Sequence, residues 1–411
     1  MIASDGKNQS VVIVSQWFPP EHAPIGYMLK ELAGFMAENG WDVEVVTGFP
    51  NHPTGRVHAN YAKRRLLRER VDSFDVVRLW LFTSERRSFF TRSLNFLSFT
   101  FSVLVYLLAR QRPQLVFAVL QPLPMGAVLS ILAKLRGFKL VFTVQDLHPD
   151  VLIDLGLIRN RVLIDVLKAI ERAAYRQADG LAVICEGFRD HVRKHGSRGE
   201  VAVIPNWIDI EQIRPEVIAQ NPIRALAGVR ADAPLVLYAG TIGHVSGAEI
   251  VIEAAKLTPE ITWLFVGEGP LLPQLQRLPQ PCGNVRFLPF QPRELLQAVQ
   301  NSADVSIVSL LPGKGVFSVP SKVLGYMAAA KPVVASVDLQ SETARLVRAS
   351  GCGKVVPPGD AQSLAAAVRL LIEEPEHAGV LGRSGRAYLE ANFGRTQVCS
   401  SYLSFLQRVA S

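Results

Sequence analysis

The residues whose types and spacing are best suited to chemistry lie in Gly313 to Ala335, GKGVFSVPSKVLGYMAAAKPVVA. Gly313 and Gly315 free the backbone ahead of a helix that Pro320-Ser321 is suited to start, because proline fits a first turn and serine can cap an orphan amide. Lys322 falls in that first turn, where the helix dipole disfavours a cation. An anion there would be held by the amides and the ammonium together, and that anion would be a phosphate. Lys331-Pro332 closes the helix, and Val333, Val334 and Ala335 start a buried strand. A plain helix–strand unit with an incidental lysine is the alternative.

A second constellation, Gln145-Asp146-Leu147-His148-Pro149-Asp150, stands at the end of an expected strand, Lys139 to Val144. Asp146, His148 and Asp150 suit a general base, a sugar-hydroxyl acceptor or a helix cap, and the residue types do not choose among these. The other candidate positions also follow strands. Val11 to Ser15 leads into Gln16-Trp17-Phe18-Pro19-Pro20 and then Glu21, His22 and Gly26, and Asp42 to Thr47 leads into GFPNHPTGR, which carries Asn51. Leu235 to Ala239 runs into Gly240-Thr241-Ile242-Gly243, a glycine-flanked turn like that of a phosphate-binding first βα unit. Trp263 to Val266 precedes Gly267-Glu268-Gly269-Pro270, and Val285 to Phe287 precedes Leu288-Pro289-Phe290-Gln291. Ligands bind beyond the carboxyl ends of strands in open α/β sheets.

The elements that must position these residues alternate strand and helix twice over. With 411 residues, 49% hydrophobic and 19% charged, the chain is globular and exceeds what one core usually holds. Two doubly wound domains facing each other across a cleft are expected, with the weakly periodic, proline-bearing stretch from Trp207 to Pro222 as linker. Residues 1–200 hold 26 Lys+Arg against 19 Asp+Glu, and residues 201–411 hold 18 against 17, so nearly all of the net +8 lies in the first half. Cys185, Cys282, Cys352 and Cys399 lack CxxC spacing, which suits a reducing compartment and suggests no zinc site. MIASDGKNQS is no basic-then-apolar leader, so secretion is not expected.

Two stretches interrupt the alternation. Ala62 to Arg70, AKRRLLRER, is a basic run interleaved with two leucines; Ser84 to Arg112 couples ERRSFFTR to a very apolar segment, Leu94 to Ala109. That segment falls short of a bilayer span. It reads as an interfacial helix whose arginines (Arg86, Arg87, Arg92, Arg110, Arg112) meet anionic headgroups while Phe89 and Phe90 dip into the acyl boundary, or else as a core helix with a solvated basic end. No nucleic-acid-binding module is recognisable, and the arginines sit beside apolar residues.

Taken in order, the runs SQWFPPE, TGFPNHPTGR, VQDLHPD, VIPNWID, YAGTIG, FVGEGP, NVRFLPF, VPSKVLGYMAAAKPVVAS and VVPPGD resemble those of family-4 glycosyltransferases of the GT-B fold. They are most like the bacterial branch of fucosyl and fucosaminyl transferases of colanic-acid and O-antigen type. The resemblance implies two facing Rossmann-like domains: 1–207 for the acceptor, with a C-terminal helix of about 394–411 packed back on it, and 208–393 for a nucleotide-sugar. It places the nucleobase near Phe287 to Phe290, the diphosphate at Gly240 and by Ser321-Lys322, and the donor sugar near Gly313 to Phe317, with Thr241, Gly243, Glu268, Gly315 and Ser318 also counted among the donor-binding residues. It assigns the acceptor to Gln16, Glu21, His22, Gly26 and Asn51, and leaves Asp146, His148 and Lys322 as the catalytic candidates. Such enzymes retain anomeric configuration and hold the diphosphate with basic side chains and helix termini, without metal or cofactor. The implied acceptor is a lipid-diphosphate-linked saccharide, met by a cytoplasmic protein on the anionic inner face of the plasma membrane. The chain departs from the pattern where the family carries two glutamates, at Phe317 and Gly325, and where basic residues often follow the YAG strand, here Thr241, His244, Val245 and Ser246. Gln145 stands where a histidine often precedes the aspartate, with His148 two residues later. A non-catalytic GT-B paralogue that binds a glycan or a partner protein is the rival expectation, and a GT-B epimerase a third.

Overall fold

A computed structural model describes residues 9–21, 23–52, 54–62, 64–86, 88–154, 156, 158–216, 221–278, 283–314 and 320–411. The chain divides into two compact units, one formed by residues up to Pro205 together with Cys399–Ser411, the other by Asn206–Val398.

Unit 1 is built on strands β1 (Ser10–Val14), β2 (Asp42–Gly48), β3 (Leu66–Val71), β4 (Phe74–Leu79), β5 (Leu115–Val119), β6 (Lys139–Val144), β7 (Gly180–Val183) and β8 (Glu200–Val203). They lie in the order β3-β4-β2-β1-β5-β6-β7-β8, parallel apart from the β3–β4 pair. Continuous apolar runs such as VVIV and LVFAV are buried on both faces, as a parallel sheet covered by helices requires. Its helices are α1 (Pro24–Glu38), α2 (Phe89–Ala109), α3 (Leu123–Arg136), α4 (Asp150–Asp154), α5 (Arg161–Gln177) and α6 (Glu186–Lys194). The strand order reverses between β1 and β5, so the loops after these two strands flank the switch point.

Leu66 to Arg70 of the basic run belong to an antiparallel hairpin. Leu66–Val71 pairs with Phe74–Leu79 at the sheet edge, and Arg78–Glu69 (2.6 Å) and Arg70–Asp75 (2.9 Å) join the two strands. Charged side chains on an edge strand discourage pairing with another chain. The apolar segment is longer than Leu94 to Ala109. Ser88 caps α2 by accepting from the Thr91 amide (3.2 Å), which adds the preceding turn. The resulting helix is long and apolar enough to cross a membrane by length and composition, correcting the shorter reading.

Unit 2 carries β9 (Leu235–Ala239), β10 (Thr262–Val266), β11 (Val285–Leu288), β12 (Val305–Ser309), β13 (Val333–Ser336) and β14 (Gly353–Val356), all parallel, in the order β11-β10-β9-β12-β13-β14. Short helices α7 (Pro222–Leu226), α8 (Ala248–Lys256), α9 (Leu272–Leu275), α10 (Leu296–Asn301), α11 (Lys322–Ala328) and α12 (Glu342–Ser350) precede the longer α13 (Ala361–Glu373) and α14 (Pro375–Asn392). Here the reversal falls between β9 and β12. Helix α15 (Arg395–Ala410) begins in unit 2, and from Cys399 on it belongs to unit 1. There Tyr402 meets Phe117 edge-on (5.6 Å), Arg408 pairs with Glu200 (2.7 Å), and Phe405 fills the space a side chain at Gly180 would need. Cys185, Cys352 and Cys399 are buried and form no disulfide among the described residues.

Candidate functional site

In unit 2 the loops after β9 and β10 meet backbone to backbone. The Gly240 amide donates to Val266 O (2.8 Å) and that of Ile242 to Glu268 O (2.9 Å). A Cβ on Gly267 (φ 152°) would stand 2.1 Å from Gly240 O, and one on Gly269 (φ 159°) 2.2 Å from Ile242 O. Only glycine allows this approach. It fixes a turn in which Thr241 is exposed, Gly243 half-buried and the Glu268 side chain turned to solvent.

Lys322 is the first residue of α11, which follows β12 across the switch point. Its Nζ lies over the Tyr238 ring, 3.6 Å from the centroid, and borders Gly240, whose added Cβ would be 3.7 Å from it. Burial pushes the ammonium down to about 7, and among the described residues no charged neighbour acts with or against it. The ring face offsets part of the lost hydration. A recessed, half-charged ammonium beside the Gly240 turn is prepared for an anion, which would restore its proton. Tyr238 continues into a row of rings, Phe265 at 5.3 Å and then Phe287 at 5.2 Å stacked at 24°, while Phe290 beyond is exposed. Ser321 does not cap the helix. It is itself in helical conformation, and its side chain accepts no amide. Gly315, Phe317 and Ser318 lie outside the described residues, as does His22 of unit 1. At Gly325, where the family has its second glutamate, the amide of Gln300 begins 3.0 Å from where a Cβ would stand, so a longer side chain would displace it.

In unit 1 the loop after β1 is tied to its neighbours by side chains. Gln16 is buried, donating from Nε2 to Asn95 Oδ1 (2.5 Å), and its Oε1 has no partner. Glu21, expected to meet an acceptor, is 1% exposed and accepts from the Asn51 and His52 amides (2.8 Å each). Burial raises its carboxyl above the usual range although those amides and Arg78 pull it down. Its role in the fold is therefore to hold the loop after β2 against the loop after β1. Gly26 is likewise a packing residue, since a Cβ would meet Phe18 Cα and Trp17 O at 3.1 Å. Gln16 and Asn51 do line an open pocket of about 280 Å³ with Trp17, His52, Arg86 and Arg92.

Asp146 is exposed and accepts from Gln121 Nε2 (2.9 Å), which joins the loops after β5 and β6. His148 is held below its ordinary range, chiefly by burial, against the opposing pull of the Asp146 and Glu171 carboxylates. Its imidazole is neutral at neutral pH and able to take a proton. Gln145 turns to Thr143 Oγ1 (3.0 Å), so of the two candidates beside Asp146 it is His148 whose ring senses that carboxylate. Asp150 starts α4 and faces Lys168 (3.5 Å) and His191 (4.0 Å). Tyr238, Gln121 and Gln300 escaped sequence reasoning. Tyr238 and Gln121 lie at strand ends beside candidate residues, which was the available signal; nothing in the local pattern marks Gln300.

Comparison with known proteins bears on both units. Residues 25–207 match the family model of a glycosyl transferase 4-like domain, and residues 233–374 that of glycosyl transferases group 1. The chain is 28% identical over 402 residues to an Escherichia coli K12 protein named as a colanic acid biosynthesis glycosyl transferase, WcaI, covering 94% of this chain and 97% of that one. It is 26% identical over 305 residues to a Pseudomonas aeruginosa protein named as glycosyltransferase WbjE, covering 72% and 75%. Among solved structures, sucrose-phosphate synthase from Thermosynechococcus elongatus superposes with a TM-score of 0.75 at 20% identity, covering 98% and 99% of the two chains. Anabaena HepE, solved with UDP-glucose, gives 0.70 at 17% identity, covering 98% and 100%.

Proposed function

The chain belongs to the family-4 glycosyltransferases of the GT-B fold, and from that premise we propose the reaction it performs. A sugar passes from a nucleotide-diphosphate-sugar to a lipid-diphosphate-linked saccharide, with retention of configuration, in the assembly of an exopolysaccharide or O-antigen repeat unit. Unit 2 takes the donor. Its base lies along Phe287 and its diphosphate against the Gly240 turn and Lys322, whose ammonium stabilises the charge that grows on the leaving group. No metal is needed for this. Unit 1 takes the acceptor in the pocket of Gln16, Asn51, Arg86 and Arg92, and neutral His148 beside Asp146 accepts the proton of the attacking hydroxyl. The protein works on the cytoplasmic side of the plasma membrane.

The observation that carries this reading is the recessed Lys322 ammonium, which has no charged neighbour among the described residues and borders a glycine turn at the switch point. It is tested by unfolding the protein in the presence of UDP-, GDP- and dTDP-sugars and assaying transfer to lipid-linked saccharides. One donor class should raise the melting temperature of the parent and leave Lys322→Ala unmoved. If none does, the reading is wrong. Gln300 standing where a family carboxylate would project favours the rival, a non-catalytic glycan- or protein-binding paralogue. Donor binding without hydrolysis or transfer would establish that alternative.

A further inference from the structure

The solvent side of α2 is apolar along nearly its whole length. Phe90, Leu97, Phe101, Val105 and Leu108 are each between 49% and 69% exposed. At about 100° per residue they fall within a sector of about 80°, and from first to last they extend about 27 Å. Arg92 is the one charged residue of the helix, and it points elsewhere on the wheel. The opposite side is buried in unit 1, with Phe99, Val103 and Leu107 at 0% exposure and Tyr106 donating to Glu44 (3.0 Å). The helix is thus neither a core helix, with only 28% of its apolar window buried, nor available to stand upright in a bilayer while its inner face is part of the sheet's core.

The charges around the stripe say what covers it. From Arg86 to Gln145, 60 residues contain eight Lys+Arg and no Asp or Glu. Arg86 stands just before the start of α2 and Arg112 just beyond its end. Neither has a carboxylate partner among the described residues. Arg136 of α3 donates to the carbonyls of Leu107, Leu108 and Arg110, which brings the exposed Leu135 and Ile131 of α3 up to the end of the stripe. An apolar stripe with cations at both ends and no acidic residue complements a surface of acyl chains under anionic headgroups. A second copy of the chain would instead bring cations against cations.

We propose that α2 lies in the plane of an anionic lipid surface, its Phe90 to Leu108 stripe among the acyl chains and the flanking arginines among the phosphates. This goes beyond the transfer reaction. A lipid-linked acceptor would be met at such a surface, but the docking is read without donor or acceptor, so either proposal can fail alone.

The test is sedimentation of the full chain with vesicles of phosphatidylglycerol and phosphatidylcholine, against phosphatidylcholine alone, with light scattering of the lipid-free protein. The parent should bind the mixed vesicles and be released by salt. Phe101→Asp with Leu108→Asp, both on the exposed face, should leave the melting temperature unchanged and weaken binding at least about a hundredfold. Arg86→Glu with Arg112→Glu should weaken it at least about thirtyfold on mixed vesicles only. Failure of the parent to bind, equal binding by the aspartate variant, or indifference to phosphatidylglycerol would each overturn the proposal. A lipid-free dimer that the aspartate substitutions turn into a monomer would assign the stripe to a second copy instead.

Discussion

If Lys322 meets the donor's diphosphate, donor binding must take up a proton. Burial brings the free ammonium from 10.5 to about 7. At pH 8 such a group is about nine-tenths deprotonated, whereas against a diphosphate it should regain an ordinary lysine value, well above 9. Affinity for a nucleoside diphosphate should therefore fall about 50-fold between pH 7 and pH 9, equivalent to about 2.3 kcal/mol, and level off below pH 7. A phosphate's own last ionisation, at about 6, lies below this window. Calorimetry in buffers of different ionisation enthalpy should record an uptake of about 0.9 proton at pH 8. Lys322→Arg, which stays charged, should abolish the uptake. Lys322→Met should abolish it together with most of the affinity. The methionine should also stabilise the protein. The folded value lies below the unfolded one, so the unfolded chain binds more protons between about pH 7 and 10.5. The buried lysine therefore costs stability at pH 7 and ceases to do so as pH rises through that window. Setting the lost ring contact against the removed burial penalty, the gain at pH 7 is about 2 kcal/mol. Flat affinity from pH 7 to 9 with no proton uptake would refute the placement of the diphosphate.

Gly269→Ala should lower the stability of unit 2 by about 3 kcal/mol in urea unfolding and weaken donor binding with it, because the new Cβ would be forced against Ile242 O at 2.2 Å. Glu21→Ala leaves the Asn51 and His52 amides without their acceptor and should cost about 2–4 kcal/mol, with a raised KM for the acceptor and an unchanged affinity for the donor.

Much of the architecture was legible because parallel strands buried on both faces announce themselves as short apolar runs. Leu115–Val119, Lys139–Val144, Leu235–Ala239 and Val305–Ser309 lie where those runs stand. β3 was not legible. Its half-buried face, Leu67, Glu69 and Val71, makes sense only once β4 lies beside it with Arg78 against Glu69, and that pairing is tertiary information. The start of α2 was misplaced for a local reason, since Ser88 extends the helix across polar residues that apolar counting leaves out. In the candidate site, glycine spacing and the helix-start lysine were visible in the chain. The Tyr238 ring under the lysine was not, because 84 residues separate the two and only the sheet order brings them together. Glu21 shows the converse limit. Its type and its loop suggested a ligand contact, but a carboxylate enclosed by backbone amides serves the loop that surrounds it.

Residues Cys399–Ser411 complete unit 1 only after Asn206–Val398 have been made. At the usual pace of about 5–20 residues per second, translation leaves the sheet around Phe117 and Gly180 without its final helix for about 10–40 s. During that interval the nascent first half presents a bare apolar strip to its surroundings. Its successful synthesis therefore depends on whatever shields that strip until Tyr402 and Phe405 arrive.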